Sequence, residues 1–316
     1  MALYLVTGGA GFIGSHIVEA LIARGDRVRA LDNFTTGKRT NLAHLSGVEV
    51  CEGDIRDAAL VQQVMTDVDD VIHQAAQVSV TQSMLDPITT HDVNVTGTLN
   101  LLKAAHERRV KRFVLASSCA VYGNNAELPL NESSALRPLS PYAASKLVSE
   151  IYCQMFQQVF GLPTVCLRYF NVYGLRQDPN GEYAAVIPKF VQRIKLAQAP
   201  IVYGNGLQTR DFVHVSDVVR ANLLACDHEG AIGQVFNVAS GREVSLLDLI
   251  AILNELCHTN FTPQFESARH GDIQHSRGDG TRLATVLGCE PATSLTAGLQ
   301  HLAGERQSAG EQPLAL

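Results

Sequence analysis

Apolar and polar positions follow two distinct patterns along the first half of the chain. Short runs rich in leucine or β-branched residues are typical of buried strands, whereas longer stretches with apolar residues every three or four positions are typical of helices. The runs predict strands over Leu3–Val6, Arg27–Leu31, Val48–Cys51, Asp70–His73, Phe113–Ala116 and Thr164–Arg168. The amphipathic stretches predict helices over Phe12–Ala23, Val95–His106 and Ala143–Phe160. This alternation favours right-handed βαβ crossovers and an α/β fold with a doubly wound parallel sheet.

The pattern becomes less regular after Gly174. A polar loop covers residues 176–182, and the elements that follow are shorter and mixed in type. We therefore expect residues 1–174 to form the sheet domain, with parts of the later chain packing on it, and residues 175–303 to form a smaller lobe. The segment 304–316 is small and polar in character, which predicts a flexible tail.

Composition narrows the class of protein. Of the 316 residues, 46% are apolar, so the chain can bury a sizeable core. The 31 acidic residues outnumber the 25 Lys and Arg residues, and the net charge of −6 argues against a nucleic-acid partner. No apolar run approaches the roughly 18 residues of a membrane span, and the N-terminus lacks the features of a secretory signal. The seven cysteines are scattered without a C-x-x-C pair, so we expect neither disulfides nor a metal site, and a cytoplasmic location.

A glycine-rich turn joins the first predicted strand to the first predicted helix. Its glycines are Gly8, Gly11 and Gly14. Such a turn lets the backbone approach a pyrophosphate closely, and the helix N-terminus attracts the phosphate charge. Asp32 ends the second strand, where a carboxylate accepts hydrogen bonds from ribose hydroxyls. The residues directly after Asp32 favour NAD over NADP because none is arginine, although Lys38 and Arg39 lie close enough to leave NADP open.

Candidate catalytic residues follow the fifth strand and begin the next long helix. Tyr142 and Lys146 are four residues apart on one helix face. A lysine ammonium beside a tyrosine phenol favours the phenolate, so the pair suits general-base chemistry. Ser118 follows the fifth strand, at the edge where open α/β sheets bind ligands, and its hydroxyl is suited to hydrogen-bond a reacting hydroxyl. The Tyr-Lys spacing and a serine after a strand are each common on their own. The interpretation as a catalytic site rests on their order along the chain and on their positions in the predicted fold.

Eight segments of the chain form a distinctive set: GGAGFIG, DNF, GDI, HQAA, SSCAVYG, YAASK, RYFNVYG and TRDFVHVSDV. Together they resemble the extended short-chain dehydrogenase/reductase family, and above all its nucleotide-sugar 4-epimerases. The resemblance covers about residues 3–303 and implies a Rossmann domain that binds NAD, residues 1–174, with a smaller α/β lobe that binds a UDP-sugar, residues 175–303. It also implies a homodimer formed through helices over residues 86–108 and 143–160, although the apolar stripes of these helices equally fit burial within one subunit.

The same resemblance assigns residues to catalysis and to the two ligands. The implied catalytic residues are Tyr142, Lys146 and Ser118. The implied cofactor residues are Gly8, Gly11, Phe12, Ile13, Gly14, Asp32, Asn33, Thr36, Gly37, Asp54, Ile55, Gln74, Ala75, Ala76, Asn94, Tyr142, Lys146 and Phe170. The implied substrate residues are Ser79, Ser118, Tyr142, Asn171, Ala185, Val186, Tyr203, Arg210, Arg269, Asp272 and Ser276. Among the substrate residues, Arg210 and Arg269 match two arginines that bind the diphosphate in the family. This role suits the forked and permanently charged guanidinium group.

Two positions separate the epimerases from their relatives within the family. Dehydratases of the family carry an Asp-Glu pair where this chain has Cys119 and Ala120, and UDP-glucuronate decarboxylases carry a Glu in the second place. The resemblance therefore implies epimerisation. In that reaction Tyr142 takes the proton of the sugar 4-hydroxyl, the C4 hydride passes to NAD, and the 4-keto intermediate rotates before the hydride returns to its other face.

Two features concern the sugar. The loop over residues 176–188 resembles that of epimerases acting on UDP-N-acetylhexosamines, and Ser276 falls where glucose-only members carry a large tyrosine. A small side chain leaves room for a 2-acetamido group without demonstrating a preference for it. We expect interconversion of UDP-GlcNAc and UDP-GalNAc, together with UDP-Glc and UDP-Gal. The alternatives left open are an epimerase for UDP-glucose only, an epimerase or reductase for UDP-glucuronate or a dTDP-sugar, and a non-catalytic cofactor sensor.

The histidines near these segments have no assigned chemistry. His73, in the fourth predicted strand, is interpreted as a packed structural residue rather than a general base. His214 and His275 lie near the motifs without partners at metal-ligand spacing, so we expect no metal. NAD is the one cofactor that the sequence implies.

Overall fold

The computed structural model describes residues 1–180, 184–268 and 273–304. The strands are β1 (Leu3–Thr7), β2 (Arg27–Asp32), β3 (Val48–Glu52), β4 (Asp70–His73), β5 (Arg112–Ser118), β6 (Thr164–Tyr169), β7 (Asn171–Tyr173), β8 (Ile201–Tyr203), β9 (Thr209–Arg210), β10 (Phe212–His214), β11 (Val235–Val238), β12 (Val244–Ser245) and β13 (Gln264–Glu266). The helices are α1 (Phe12–Ala23), α2 (Ala58–Val64), α3 (Val80–Leu85), α4 (Pro87–His91), α5 (Gly97–Glu107), α6 (Pro141–Phe160), α7 (Val186–Lys195), α8 (Val215–Asp227), α9 (Leu246–Cys257), α10 (Thr281–Leu287) and α11 (Leu295–Gly304). A π-helical turn over Asp92–Thr96 joins α4 to α5.

The described residues form one seven-stranded sheet with the order β11-β6-β5-β4-β1-β2-β3. Every neighbouring pair in it is parallel. The strand order reverses between β1 and β4, and in doubly wound folds the crevice at the carboxyl ends of such strands binds ligands. The predicted α/β fold is confirmed, and the six predicted strands are present with ends within about two residues of their predicted positions.

The last strand of the sheet comes from the later part of the chain. β11 pairs with β6, with Val235 opposite Cys166, and α8 packs against α1 beneath the sheet. The sequence pattern does not predict β11, because an apolar run of four residues carries too little periodicity to separate strand from helix.

Helices cover both faces of the sheet and create two apolar cores. One core joins α1 and α8 to the sheet, and the other joins α2, α5 and α6 to the opposite face. A third core lies in the lobe, where α7, α9 and α11 pack together; its buried residues include Ile187, Phe190, Leu249, Leu253 and Leu299. Short strand pairs, β7 with β10, β9 with β12 and β8 with β13, surround this third core.

Helix α6 starts at a position that is specified locally. The hydroxyl of Ser140 accepts a hydrogen bond from the Ala143 amide at 3.1 Å, and Pro141 occupies the first helical position. Gly161 ends the helix with a left-handed backbone, φ +70°. These signals place Tyr142 in the first turn of α6, beside the carboxyl end of β5. Within the described parts of the chain, no helix is long and apolar enough to cross a membrane.

Candidate active site

The glycine-rich turn between β1 and α1 leaves no room for side chains at two of its positions. Gly8 has a left-handed backbone (φ +66°), and a Cβ atom there would lie 2.8 Å from the amide nitrogen of Ala75. A Cβ atom on Gly14 would lie 2.0 Å from the carbonyl oxygen of Gly8. The predicted turn is therefore built so that backbone alone forms its surface.

Helix α1 points its N-terminus at this turn. Gly11 precedes the helix and its amide donates to the Gly8 carbonyl at 3.0 Å. Phe12 and Ile13 occupy the first two helical positions, where backbone amides have no acceptor inside the helix. These amides and the positive end of the helix dipole suit a pyrophosphate, so the turn fits the central part of NAD.

Asp32 ends β2 and is buried next to the turn. Its carboxylate accepts hydrogen bonds from the amides of Ala10 at 2.9 Å and Phe34 at 2.8 Å. A Cβ atom on Gly37 would lie 2.7 Å from both carboxylate oxygens, so the segment that follows β2 folds closely around Asp32. Thr36 is exposed in this segment. The carboxylate is thereby held where a dinucleotide ribose is expected.

Two predicted cofactor residues, Asp54 and Ile55, follow β3, next to the predicted Asn33 after β2. The side-chain amide of Asn33 donates to Asp54 at 2.9 Å. Arg56 donates two side-chain hydrogen bonds to the same carboxylate, at 2.9 and 2.8 Å, and holds the pKa of Asp54 well below its usual range. Ile55 is buried beside them. Asp54 thus has structural partners of its own, in addition to its predicted place at the cofactor.

Lys38 and Arg39, the two cationic side chains that kept NADP as an alternative cofactor, both have acidic partners. Lys38 pairs with Asp178 at 2.9 Å. Arg39 pairs with Glu52, and its guanidinium lies 4.0 Å from the ring centroid of Phe34. A 2′-phosphate would have to compete with these carboxylates, and this geometry favours NAD.

The end of β4 brings three predicted cofactor residues to the same edge. Gln74 donates through its side-chain amide to the Tyr169 hydroxyl at 3.0 Å and to Asn222 at 3.1 Å. Ala75 and Ala76 follow with half-buried, small side chains. The strand end therefore offers mainly backbone next to the glycine-rich turn.

Asn94 lies in the π-helical turn that interrupts the predicted helix between α4 and α5. Its side chain accepts from the Gln77 amide at 2.8 Å and donates to the Gln77 carbonyl at 3.0 Å. The same amide group donates to the Ser145 hydroxyl at 2.9 Å, and that hydroxyl donates to the Tyr142 carbonyl at 2.8 Å. Single π turns inside helices are frequent at functional sites. Here the turn connects a predicted cofactor residue to the predicted catalytic helix.

The predicted catalytic phenol and hydroxyl interact directly. Burial raises the pKa of Tyr142 to about 12, while a side-chain hydrogen bond with Ser118 acts in the opposite direction. Ser118 is the last residue of β5, and its hydroxyl also accepts from the Ala120 amide at 3.2 Å. The structure therefore brings these two predicted residues together at the carboxyl edge of the sheet.

Lys146 lies one turn further along α6 and is buried, with 5% of its surface exposed. Its ammonium donates to the Ala116 carbonyl at 2.8 Å and lies 6.0 Å from the centroid of the Tyr142 ring. Burial lowers the pKa of Lys146 to about 8, and the nearby Glu150 carboxylate acts against this shift. Burial therefore dominates the pKa values of both Tyr142 and Lys146.

A buried polar network beneath Lys146 is absent from the sequence predictions. Arg168 donates to both oxygens of Glu150, at 2.9 and 2.7 Å, and Ser117 donates to the same carboxylate. Arg168 also donates to the Tyr122 hydroxyl at 2.9 Å, which in turn donates to Asn237 at 2.6 Å. The signal available in the sequence was the position of Glu150, which continues the four-residue spacing of Tyr142 and Lys146.

A cavity of about 880 Å³ adjoins this edge on the side of the lobe. The predicted residues that line it are Phe170, Asn171, Ala185, Val186, Tyr203 and Arg210. Lining residues that the sequence did not predict include Gln177, Lys189, Gln192 and Arg193. Gln177 belongs to the loop that resembles that of acetamido-sugar epimerases, although it was not assigned to the site. The other three lie on α7, where no motif marked them. A volume of this size suits a nucleotide-sized ligand.

Of the remaining predicted substrate residues, the two that the structure describes are not among those that line the cavity. The Ser79 hydroxyl caps α3 by accepting from the Gln82 amide at 3.0 Å, and it is Val80, the next residue, that lines the cavity. Ser276 is buried but is not among the cavity-lining residues. Arg269 and Asp272 lie outside the described residues.

Cys119 links the catalytic edge to the cavity. It directly follows Ser118. Burial and the charge of Asp211 raise the pKa of its thiol to about 12, whereas Arg210, which lines the cavity, acts in the opposite direction. The thiol is therefore neutral and offers neither acid nor base at ordinary pH. Across the described ranges, no group of three or more His, Cys, Asp or Glu side chains is placed to hold a metal ion.

This fold and turn define a dinucleotide-binding α/β protein, and comparison with known proteins identifies its family. A model of the NAD dependent epimerase/dehydratase family matches residues 4–239. UDP-glucose 4-epimerase of Mycolicibacterium smegmatis is 39% identical over 300 residues, covering 93% of this chain and 95% of that protein. The chain belongs to the NAD dependent epimerase/dehydratase family.

Solved structures of relatives have the same architecture. UDP-N-acetylglucosamine 4-epimerase of Methanobrevibacter ruminantium, in complex with UDP-N-acetylmuramic acid, matches with a TM-score of 0.92 and 37% identity over 96% of this chain and 97% of its own. UDP-glucose 4-epimerase of Thermus thermophilus, in complex with NAD, matches with a TM-score of 0.88 and 38% identity over 96% and 99%. These similarities cover the sheet and the lobe alike.

Proposed function

We propose that this protein is an NAD-dependent 4-epimerase of UDP-sugars, acting on UDP-GlcNAc and UDP-GalNAc and on UDP-Glc and UDP-Gal. The observation that carries the proposal is the grouping of Tyr142, Ser118 and Lys146 at the carboxyl edge of the sheet, the same edge at which the glycine-rich turn follows β1. It is supported by similarity over nearly the whole chain to proteins named for this activity.

Tyr142, Ser118 and Lys146 each have a separate role in the proposed reaction. Bound NAD supplies a reversible acceptor for the hydride at C4 of the sugar. Tyr142 takes the proton of the 4-hydroxyl as the 4-keto sugar forms, and returns it when the hydroxyl is restored. Ser118 hydrogen-bonds both the phenol and the sugar oxygen and so keeps them in line. Lys146 stabilises the phenolate by its charge, because an ammonium in a buried site favours a nearby anion.

The cavity side chains bind the nucleotide and let the sugar turn. Arg210 binds the diphosphate together with Arg269, Tyr203 contacts the base, and Asp272 contacts the ribose. We place the sugar beside Ala185 and Asn171, because these lining residues have small or amide side chains that would leave space for the 4-keto ring to present either face. The proposed acetamido space beside Ser276 rests on the small size of that side chain, since Ser276 is not itself a lining residue of the cavity. In this division residues 1–174 bind NAD and residues 175–303 hold the UDP-sugar.

The experiment that tests the function is parallel turnover of UDP-Glc and UDP-GlcNAc by the purified protein, followed by proton NMR of the anomeric signals. We expect both 4-epimers to form with no net appearance of NADH absorbance. Turnover of UDP-Glc alone would retain the chemistry and remove the acetamido substrate. Net NADH formation would indicate a dehydrogenase instead, and reaction of neither substrate would contradict the proposal.

We also propose that the protein acts as a homodimer in the cytoplasm. Exposed apolar side chains lie on the adjacent helices α3, α4 and α6; they are Val80, Met84, Leu85, Ile88, Ile151, Val159 and Phe160. Exposed apolar side chains on helices that pack against one another are typical of an interface. All seven cysteines are free, which suits a reducing compartment. Sedimentation of the parent and of an Ile88→Glu variant tests the dimer: we expect twice the chain mass for the parent and a shift toward monomer for the variant.

A further inference from the structure

His73 is a buried imidazole at the end of β4 that the proposed chemistry does not use. Only 2% of its surface is exposed. Its Nδ1 atom lies 2.7 Å from the hydroxyl of Thr7, and its Nε2 atom lies 2.9 Å from the hydroxyl of Thr98. Thr7 is the residue directly before Gly8 of the cofactor turn, and Thr98 is in the first turn of α5. The imidazole therefore bridges the cofactor turn and a helix on the catalytic side.

The hydrogen-bond directions allow one arrangement of protons. The Thr98 hydroxyl donates its proton to the Asn94 carbonyl at 2.5 Å, so it has to accept from His73, whose proton is then on Nε2. Burial and the charge of Lys146 lower the pKa of His73 to about 3, so the ring is neutral. With Nδ1 an acceptor, the Thr7 hydroxyl donates to it, and the same hydroxyl accepts from the Ala75 amide at 3.2 Å.

At its other end the chain of hydrogen bonds reaches Tyr142. The Asn94 carbonyl also accepts from Ser149 of α6 at 2.9 Å. The Asn94 side chain donates to Ser145, which donates to the backbone carbonyl of Tyr142. Every hydroxyl and amide in this path has a partner, and a buried network that is fully satisfied fixes its members in one geometry.

We propose that His73 is a positioning residue, which as the neutral Nε2–H tautomer holds the cofactor turn and the Tyr142 helix at one fixed separation. Hydride transfer in both directions requires the phenol and the bound cofactor to keep their relative places, and small displacements reduce the rate strongly. The effect on turnover rests on the proposed epimerase function. The tautomer and the mechanical link do not, because they follow from the contacts of the chain itself.

The sharpest variant is Thr98→Val, which has a matched control. Thr90 is also buried, and its hydroxyl also donates to the carbonyl four residues earlier, that of Asp86, at 3.0 Å, but within the described residues it hydrogen-bonds no imidazole. We expect Thr98→Val to lower kcat about tenfold with KM for the UDP-sugar unchanged, Thr98→Ser to restore it, and Thr90→Val to behave as the parent. Equal kcat values for Thr98→Val and Thr90→Val would overturn the proposal.

Two readouts are independent of turnover. Nitrogen NMR of histidine-labelled protein, with the His73 signals identified by their shift in Thr98→Val, should show a proton on Nε2 and none on Nδ1. The rate of NAD release should rise in Thr98→Val and in Thr7→Val, and the double variant should show less than the product of the two effects. The opposite tautomer, or effects that multiply independently, would overturn the link. If the parent releases NAD as expected but epimerises no sugar, the proposed function fails and the link is judged on these readouts.

Discussion

The sheet half and the lobe build their parts of the site in different ways. In the sheet half hydrogen bonds connect the predicted residues: Asn94 reaches the backbone of Tyr142 through Ser145, which was not predicted, and the Ser118 hydroxyl acts on the Tyr142 phenol. In the lobe the predicted residues come from separate short elements, and what they share is the wall of a cavity. The cofactor site is thus fixed by buried hydrogen bonds and close backbone packing, whereas the substrate site is defined by the sizes of side chains around a space.

This difference has a functional consequence. A site fixed by satisfied buried hydrogen bonds tolerates little change, because each lost partner leaves a polar group unpaired in the interior. A site formed by side chains around a cavity can change its ligand by the exchange of one residue. We therefore expect substitutions in the sheet half to affect the chemistry for every sugar, and substitutions in the lobe to affect the choice among sugars.

The largest effect is expected from Tyr142→Phe, which tests the sheet half most directly. Loss of the phenol removes the proton acceptor, and kcat should fall about 10³-fold for UDP-Glc and UDP-GlcNAc alike. The NAD content of the purified protein should not change. Tyr152→Phe, on the same helix and half-buried, is the control for loss of a hydroxyl. A Tyr142→Phe enzyme as fast as the parent would contradict the mechanism.

Lys146→Met should show how much the buried ammonium of Lys146 destabilises the folded protein. The folded pKa of about 8 lies below the ordinary 10.5, so between these values the unfolded chain binds more protons and stability rises with pH. Below about pH 8 Lys146 is charged in both the folded and the unfolded chain, so the burial of its charge lowers the free energy of unfolding by the full amount. In NAD-free protein at pH 7, Lys146→Met should therefore raise the free energy of unfolding by up to about 3 kcal/mol.

Urea unfolding at pH 7 and pH 10 measures this cost. The advantage of Lys146→Met over the parent should shrink as the pH rises from 8 toward 10.5. Lys103→Met, at an exposed position of α5, should change stability by less than about 0.5 kcal/mol at either pH. A Lys146→Met variant less stable than the parent at pH 7 would show that the Ala116 hydrogen bond outweighs the cost of burial.

Ser276→Tyr tests the lobe. The larger side chain should reduce kcat/KM for UDP-GlcNAc about tenfold more than for UDP-Glc, because the acetamido group needs the space. Thr285→Tyr, on the exposed side of α10, is the control for introducing a tyrosine. Equal losses for both sugars would remove the role assigned to Ser276 and leave the chemistry intact.

The smallest effect is expected where the two halves meet at the surface. Lys38 of the cofactor segment pairs with Asp178 of the lobe, and both side chains are about half exposed. Such pairs contribute between zero and about 1 kcal/mol. Lys38→Met and Asp178→Asn should each change turnover and NAD release by less than about twofold. A tenfold change, abolished in the double variant, would show that the halves depend on each other through this pair.

The cofactor half was largely predictable from the sequence. Its strands, the glycine-rich turn and the spacing of Tyr142 and Lys146 are local features, and backbone geometry converts them directly into structure. β11 and the Glu150–Arg168 pair were not predicted. Their partners are distant in sequence, and periodicity within one segment says nothing about which distant segment it will meet.

The sequence by itself determined the first six strands, the long helices α1, α5 and α6, the turn that suits a pyrophosphate and the residue types of the catalytic edge. These depend on interactions within a few residues, such as the steric freedom of Gly8 and the cap at Ser140. Only the tertiary structure decided that burial dominates the pKa values of Tyr142 and Lys146, that Lys38 and Arg39 are paired with carboxylates, and that His73 is held between Thr7 and Thr98. Desolvation and hydrogen-bond partners depend on what the folded chain brings around a group, and that is a property of the whole fold.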